Sequence, residues 1–182
     1  DKDGFGEIFV VTKDRLLRCF SHDLVQKWAS PQQVGYDVGW EAPVVNLADM
    51  DQDGTPEVVI GNQVYSSQNG NLLASGGTAT SRGEHPKRTG KFSFCSVVAM
   101  DVLPDSFCPD CQGLEIVAGN QVLSVNLGTG TVKVEVQAAG NYTDGFTSVA
   151  DFDNDGDLDA IVQGQKGNFN TCYVWEIENP TV

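Results

Sequence analysis

Histidine occurs only twice in the 182 residues, as His22 and His85, and neither stands in a recognisable catalytic triad or metal pair. The chain contains no Gly-x-Ser-x-Gly and no phosphate-binding glycine loop, so it offers neither a nucleophile elbow nor a nucleotide cradle. No segment approaches the run of about 20 apolar residues that a membrane-spanning helix requires, and no signal peptide is visible. Sustained 3.6-residue apolar periodicity is also missing, which predicts little helix. Basic residues are scarce: 11 Lys and Arg stand against 25 Asp and Glu, for a net charge of −14 and a pI of about 4.2. Nucleic acid is therefore not an expected partner, because neutralising phosphates takes a basic surface.

The acids are not scattered. Asp151-Phe-Asp153-Asn-Asp155-Gly156-Asp157-Leu-Asp159 places carboxylates at loop positions 1, 3, 5 and 9, with glycine at 6. Hard oxygens at alternate positions of a tight loop suit Ca²⁺, which takes six to eight oxygen ligands in flexible geometry. Gly156 supplies a turn that a Cβ would obstruct. The pattern recurs as Asp49-Met-Asp51-Gln-Asp53-Gly54-Thr55-Pro56-Glu57. The chain opens inside a third copy, Asp1-Lys-Asp3-Gly4-Phe-Gly-Glu7, whose first ligand position is missing, and it is expected to be part of a longer polypeptide. An EF-hand is excluded, since loop position 12 is Ile60 or Val162 instead of the bidentate Glu that motif needs. The residues just after each loop are apolar and β-branched, as in a strand.

Aligning the closing acids Glu7, Glu57, Glu115 and Asp159 gives intervals of 50, 58 and 44 residues. Glu57-Val-Val-Ile-Gly-Asn-Gln-Val-Tyr65 matches Glu115-Ile-Val-Ala-Gly-Asn-Gln-Val-Leu123 almost residue for residue. Turn signals come next in Gln68-Asn69-Gly70-Asn71 and Leu127-Gly128-Thr129-Gly130. Each period thus carries about four short strands, the content of one propeller blade. The expected architecture is all-β: about three and a half blades in a single segment over 1–182, with repeats at roughly 1–40, 41–92, 93–143 and 144–182, within a larger propeller.

The Asp-x-Asp-x-Asp-Gly-x-x-Asp/Glu loop, with an apolar strand and Gly-Asn after it, resembles the FG-GAP/VCBS repeat family, which includes the calcium-loop blades of integrin α-chain propellers. The resemblance implies side-chain ligands at Asp49, Asp51, Asp53 and Glu57 with the Thr55 carbonyl. It implies the same for Asp151, Asp153, Asp155 and Asp159 with the Asp157 carbonyl. Asp1, Asp3 and Glu7 would belong to the partial copy. For activity the resemblance says little: such propellers mostly serve adhesion and recognition, while some sit in polysaccharide lyases.

The third loop departs from this pattern. It runs 14 residues from Asp101 to Glu115, against 8 from Asp49 to Glu57, and holds Asp105, Cys108-Pro-Asp110-Cys111 and Gly113. Without alternating acids it is expected to bind no metal, with Cys108 and Cys111 paired as its fastener. Pairing among Cys19, Cys95 and Cys172 is left open. A basic island, Arg82 to Lys91, interrupts a Gly/Ser/Thr-rich loop; it reads as a solvated loop or as a contact for an acidic partner. Asn141-Tyr-Thr143 is a glycosylation acceptor in a secreted eukaryotic setting. Tyr36, Trp40, Phe92, Phe94 and Trp175 suit a sugar site, but blade packing explains them more simply.

Three classes of function remain. The first is a non-catalytic, calcium-binding propeller segment outside the cell, recognising a protein or glycan ligand through inter-blade loops such as 77–93. Millimolar extracellular calcium can fill weak sites, and that compartment permits disulfides. The second is the propeller portion of a polysaccharide lyase or hydrolase, for which the sequence supplies no base or nucleophile. A purely architectural spacer is the third possibility.

Overall fold

The computed structural model describes residues 4–35, 43–77, 96–138, 146–166 and 169–177. Asp1, Asp3, Tyr36, Trp40, the island from Arg82 to Lys91 with His85, Phe92, Phe94, Cys95, Asn141 and Thr143 lie outside them. The chain is all-β. Among the described residues there is no α-helix, and no helix is long and apolar enough to cross a membrane.

Among the described residues, fourteen strands fall into four consecutive meanders. The first holds β1 (Ile8–Val11), β2 (Leu16–Phe20) and β3 (Gln26–Gln33). The second holds β4 (Asn46–Ala48), β5 (Glu57–Ile60), β6 (Gln63–Ser66) and β7 (Leu72–Gly76). The third holds β8 (Val98–Met100), β9 (Glu115–Ala118), β10 (Gln121–Asn126) and β11 (Thr131–Gln137). The last holds β12 (Phe146–Ala150), β13 (Asp159–Lys166) and β14 (Phe169–Glu176). Pairing within each meander is antiparallel between sequence neighbours. The residues after Glu7, Glu57, Glu115 and Asp159 therefore occupy equivalent strands, β1, β5, β9 and β13.

Burial explains why these strands read as unbroken apolar runs. Every residue of Glu57–Ile60 and of Glu115–Ala118 is buried, because neighbouring sheets cover both faces and side chains alternate between them. Val58 and Ile60 join Leu17, Val34 and Tyr65 in a core between the first and second meanders. Val59, one residue out of phase, joins Ile116, Ala118 and Leu123 between the second and third. Val117 and Val122 then turn to Ala160, Val162 and Trp175 of the fourth. The molecule is a succession of sheets packed face on face.

The middle two meanders also share one hydrogen-bonded order, β4-β5-β6-β7-β11-β10-β9-β8, joined by a short parallel pairing of β7 with β11. At that junction a Cβ on Gly76 would stand 2.0 Å from the Val132 carbonyl oxygen, so only glycine fits. The end strands β4 and β8 also touch, which makes this sheet nearly closed, and β8 in turn touches β12.

The shared Gly-Asn-Gln has a structural role. The Asn62 amide donates to the Gly76 carbonyl and the Asn120 amide to that of Ala138, so each asparagine ties the β5–β6 or β9–β10 turn to its fourth strand. Gly119 bridges to the next sheet, receiving the Trp175 indole N–H at its carbonyl (3.0 Å) and donating its own N–H to the Thr147 hydroxyl. Trp175 is thus a packing residue between the third and fourth meanders.

Candidate metal centre

The loops 49–57 and 151–159 lead into β5 and β13 and share one hydrogen-bonding scheme. In the first, Asp49 accepts the N–H groups of Asp53 (3.0 Å) and Gly54 (2.8 Å), and Asp53 accepts that of Thr55 (2.7 Å). The closing Glu57 accepts the Met50 N–H at 2.9 Å. In the second, Asp151 accepts from Gly156 (3.1 Å), Asp155 from Asp157 (3.0 Å) and Asp159 from Phe152 (3.0 Å). Position 3 accepts from position 5 in both: Asp51 from Asp53 and Asp153 from Asp155, each at 3.3 Å. Backbone angles repeat too, with Gln52 and Asn154 at φ 59° and 63°, and Gly54 and Gly156 at 90° and 103°. The glycine values lie where a Cβ is strained, which fixes glycine at position 6.

These bonds hold the carboxylates inward. Oxygens of Asp49, Asp51 and Asp53 lie within 4.8 Å of one another, as do those of Asp151, Asp153 and Asp159. A further group joins Asp153 and Asp155 to Glu176. Crowding of like charge shows in the ionisation. The Glu57 carboxyl is pushed up by burial, against the pull of the Met50 N–H, and Asp51, Asp53 and Asp49 push it further. Asp153 is pushed up by loss of surrounding water and by Asp155. A donor set made only of hard oxygens, held close against mutual repulsion, fits a hard divalent cation.

Other expected ligands sit differently. Glu57 is buried at the loop's base, outside the Asp49–Asp51–Asp53 group. Thr55 and Asp157, expected to offer their backbone carbonyls, each donate the N–H to the acid two residues before, Asp53 and Asp155. Glu7 forms an ion pair with Lys27 at 3.0 Å, and Gly4, at φ 91°, repeats the position-6 conformation. Glu176 has no counterpart among the residues expected from the loop motif. It stands on β14 directly opposite Asp159, where the second meander pairs Ser66 with Glu57. Only the hairpin register reveals it.

The 101–115 loop keeps the opening and closing acids and loses the alternating ones between them. Glu115 accepts the N–H groups of Val102 (3.0 Å) and Leu103 (3.1 Å), as Glu57 does for Met50. Cys108 and Cys111 form a disulfide with their Cα atoms 5.2 Å apart. Asp110 turns to Lys133 and Asn126, and its carboxyl is held low first by Lys133, then by Asn126. Among the described residues no group of three acids gathers in this loop. Among the described residues Cys19 and Cys172 carry free thiols, the first buried and the second exposed.

No protein-family model matches the chain, and no curated protein sequence does either. The crystal structure of the V. cholerae biofilm matrix protein Bap1 is similar in fold, with a TM-score of 0.66 at 22% identity. That likeness covers 97% of this chain, which spans 25% of the length of that one.

Proposed function

We propose that this chain is a calcium-stabilised, non-catalytic recognition segment of an extracellular protein, built from β-propeller blades of the FG-GAP/VCBS type. The observation that carries the reading is the shared scheme of the two acidic loops, each turning three carboxylates onto one point. Asp49, Asp51 and Asp53 would hold one ion and Asp151, Asp153 and Asp159 another, with Asp155 and Glu176 beside the second. Calcium supplies no reaction step here. It cancels repulsion among the acids and so favours the folded loops.

The blade reading draws support from the repeated strand order, from face-on-face stacking, and from the successive contacts of β4, β8 and β12, the first strands of their meanders. A disulfide suits an oxidising compartment, and Bap1 is a matrix protein. The acids gathered in the loops are poor proton-transfer groups once a cation holds them ionised. Titrating calcium into the chelator-treated chain by calorimetry tests the reading: two sites are expected, and heat-silent mixing with unchanged melting would refute it.

A further inference from the structure

A cavity of about 810 Å³ opens between the first and second meanders, within the size range of small-ligand sites, roughly 300–1,000 Å³. Its first wall carries Phe9 and Trp28, with ring centres 5.8 Å apart, and the ion-paired Lys27 and Glu7. Its second wall carries Thr55 of the acidic loop and Gln68 of the β6–β7 turn.

We propose that this cavity binds a neutral, hydroxyl-rich ligand, a short run of pyranose units. Half-buried aromatic rings offer apolar faces of the size of a sugar ring, Leu47 and Pro56 extend that apolar wall, and Thr55, Gln68 and the ion pair offer donors and acceptors for hydroxyls. A purely apolar ligand would strip water from Gln68, Thr55 and the ion pair without replacing its hydrogen bonds. A polyanion would meet Glu7, the acidic loop and a net charge of −14, with Lys27 already neutralised by Glu7. The platform is also fixed in advance. A Cβ on Gly70 would stand 2.7 Å from the Trp28 ring, so the turn carrying Gln68 packs directly on the indole. Preorganisation of this kind lowers the ordering cost of binding. Because Gly54 and Thr55 line the cavity, the loop that gathers Asp49, Asp51 and Asp53 forms part of its wall. Calcium and the sugar should then each raise the affinity of the other. The inference rests on the recognition reading above and gives it a ligand class and a place.

The test uses the full chain in saturating calcium, titrated by NMR with cellohexaose, maltohexaose, mannohexaose and hexagalacturonate. At least one neutral hexamer should shift the Trp28 indole signal. Trp28→Leu and Gln68→Ala should each weaken that binding by about tenfold or more, as loss of a central contact does. Gln68 is exposed, so its variant should melt like the parent and guards against misfolding of the tryptophan variant. Binding of none of the neutral hexamers, binding of hexagalacturonate alone, or parent-like affinity in Gln68→Ala would each overturn the proposal. Melting of the same sample with calcium and with chelator separates the outcomes: a calcium shift without sugar binding sinks this inference alone.

Discussion

Asp159 and Glu176 stand directly opposite each other across the β13–β14 ladder. Like charges at such a position repel, and Asp153 and Asp155 bring two more carboxylates to Glu176. In the second meander the equivalent neighbour of the closing acid is Ser66. The last loop is therefore the more strongly charged of the two.

Replacing Glu176 by Ser should separate repulsion from ligation. In chelator the variant should melt higher than the parent, and in calcium it should gain less. Calorimetry should show weaker binding at the 151–159 loop and unchanged binding at 49–57. Equal loss at both loops would argue against a local role for Glu176.

The disulfide loop leans on its neighbour: Leu114 donates its N–H to the Met50 carbonyl at 3.0 Å, and a Cβ on Gly113 would stand 2.1 Å from the same oxygen. Both partners are backbone, so Gly113→Ala must displace one loop or the other. The expected cost is about 2–3 kcal/mol, in the range of overpacking. Calcium binding at 49–57 should weaken while that at 151–159 holds. Urea denaturation with site-resolved calcium titration reads both.

Removing the disulfide as the pair Cys108→Ser and Cys111→Ser should cost about 2 kcal/mol, the entropy of closing so short a loop. The calcium response should survive, because that loop gathers no group of acids. A variant that loses its calcium-dependent melting would show the disulfide supporting the metal loops themselves.

Glu115 gives a signed pH dependence. It is 1% exposed, and its Oε1 has no hydrogen-bond partner among the described residues. Burial pushes its carboxyl up, against the Val102 and Leu103 N–H groups. The folded chain thus holds this proton more tightly than the unfolded one. Its contribution to stability is fully present below the ordinary carboxyl value near 4.5 and is lost as pH rises through the folded value. Glu115→Gln keeps an acceptor for Val102 and Leu103 and removes the titration. In chelator, parent stability should therefore fall relative to this variant as pH climbs from about 4.5 towards neutrality. Parallel pH curves for the two proteins would contradict the assignment.

Much of this arrangement is legible in the sequence, for physical reasons. Strand residues covered on both faces are mostly apolar, so residues 58–60 and 116–118 announce themselves. The turn glycines Gly54 and Gly156 are read from the φ that their loops impose, and Cys108 with Cys111 from closeness along the chain. What escapes depends on residues brought together from afar. Glu176 reaches Asp153 only through the β13–β14 register. Glu7, expected as a ligand, meets Lys27 of β3 across the intervening β2 of the first sheet. The cavity joins Trp28 to Gln68 across two sheets, and no local pattern marks either residue as a cavity wall.

Thermal melting of the chain in millimolar calcium and in EDTA, beside Asp51→Ala and Asp153→Ala, tests the central claim most directly. A site filled to about 100 times its Kd adds about 2.7 kcal/mol, or roughly 5–10 °C for a domain of this size. The parent, with two sites, should show at least that rise, and each variant should keep only part of it. Identical melting of the parent in calcium and in EDTA would contradict the account.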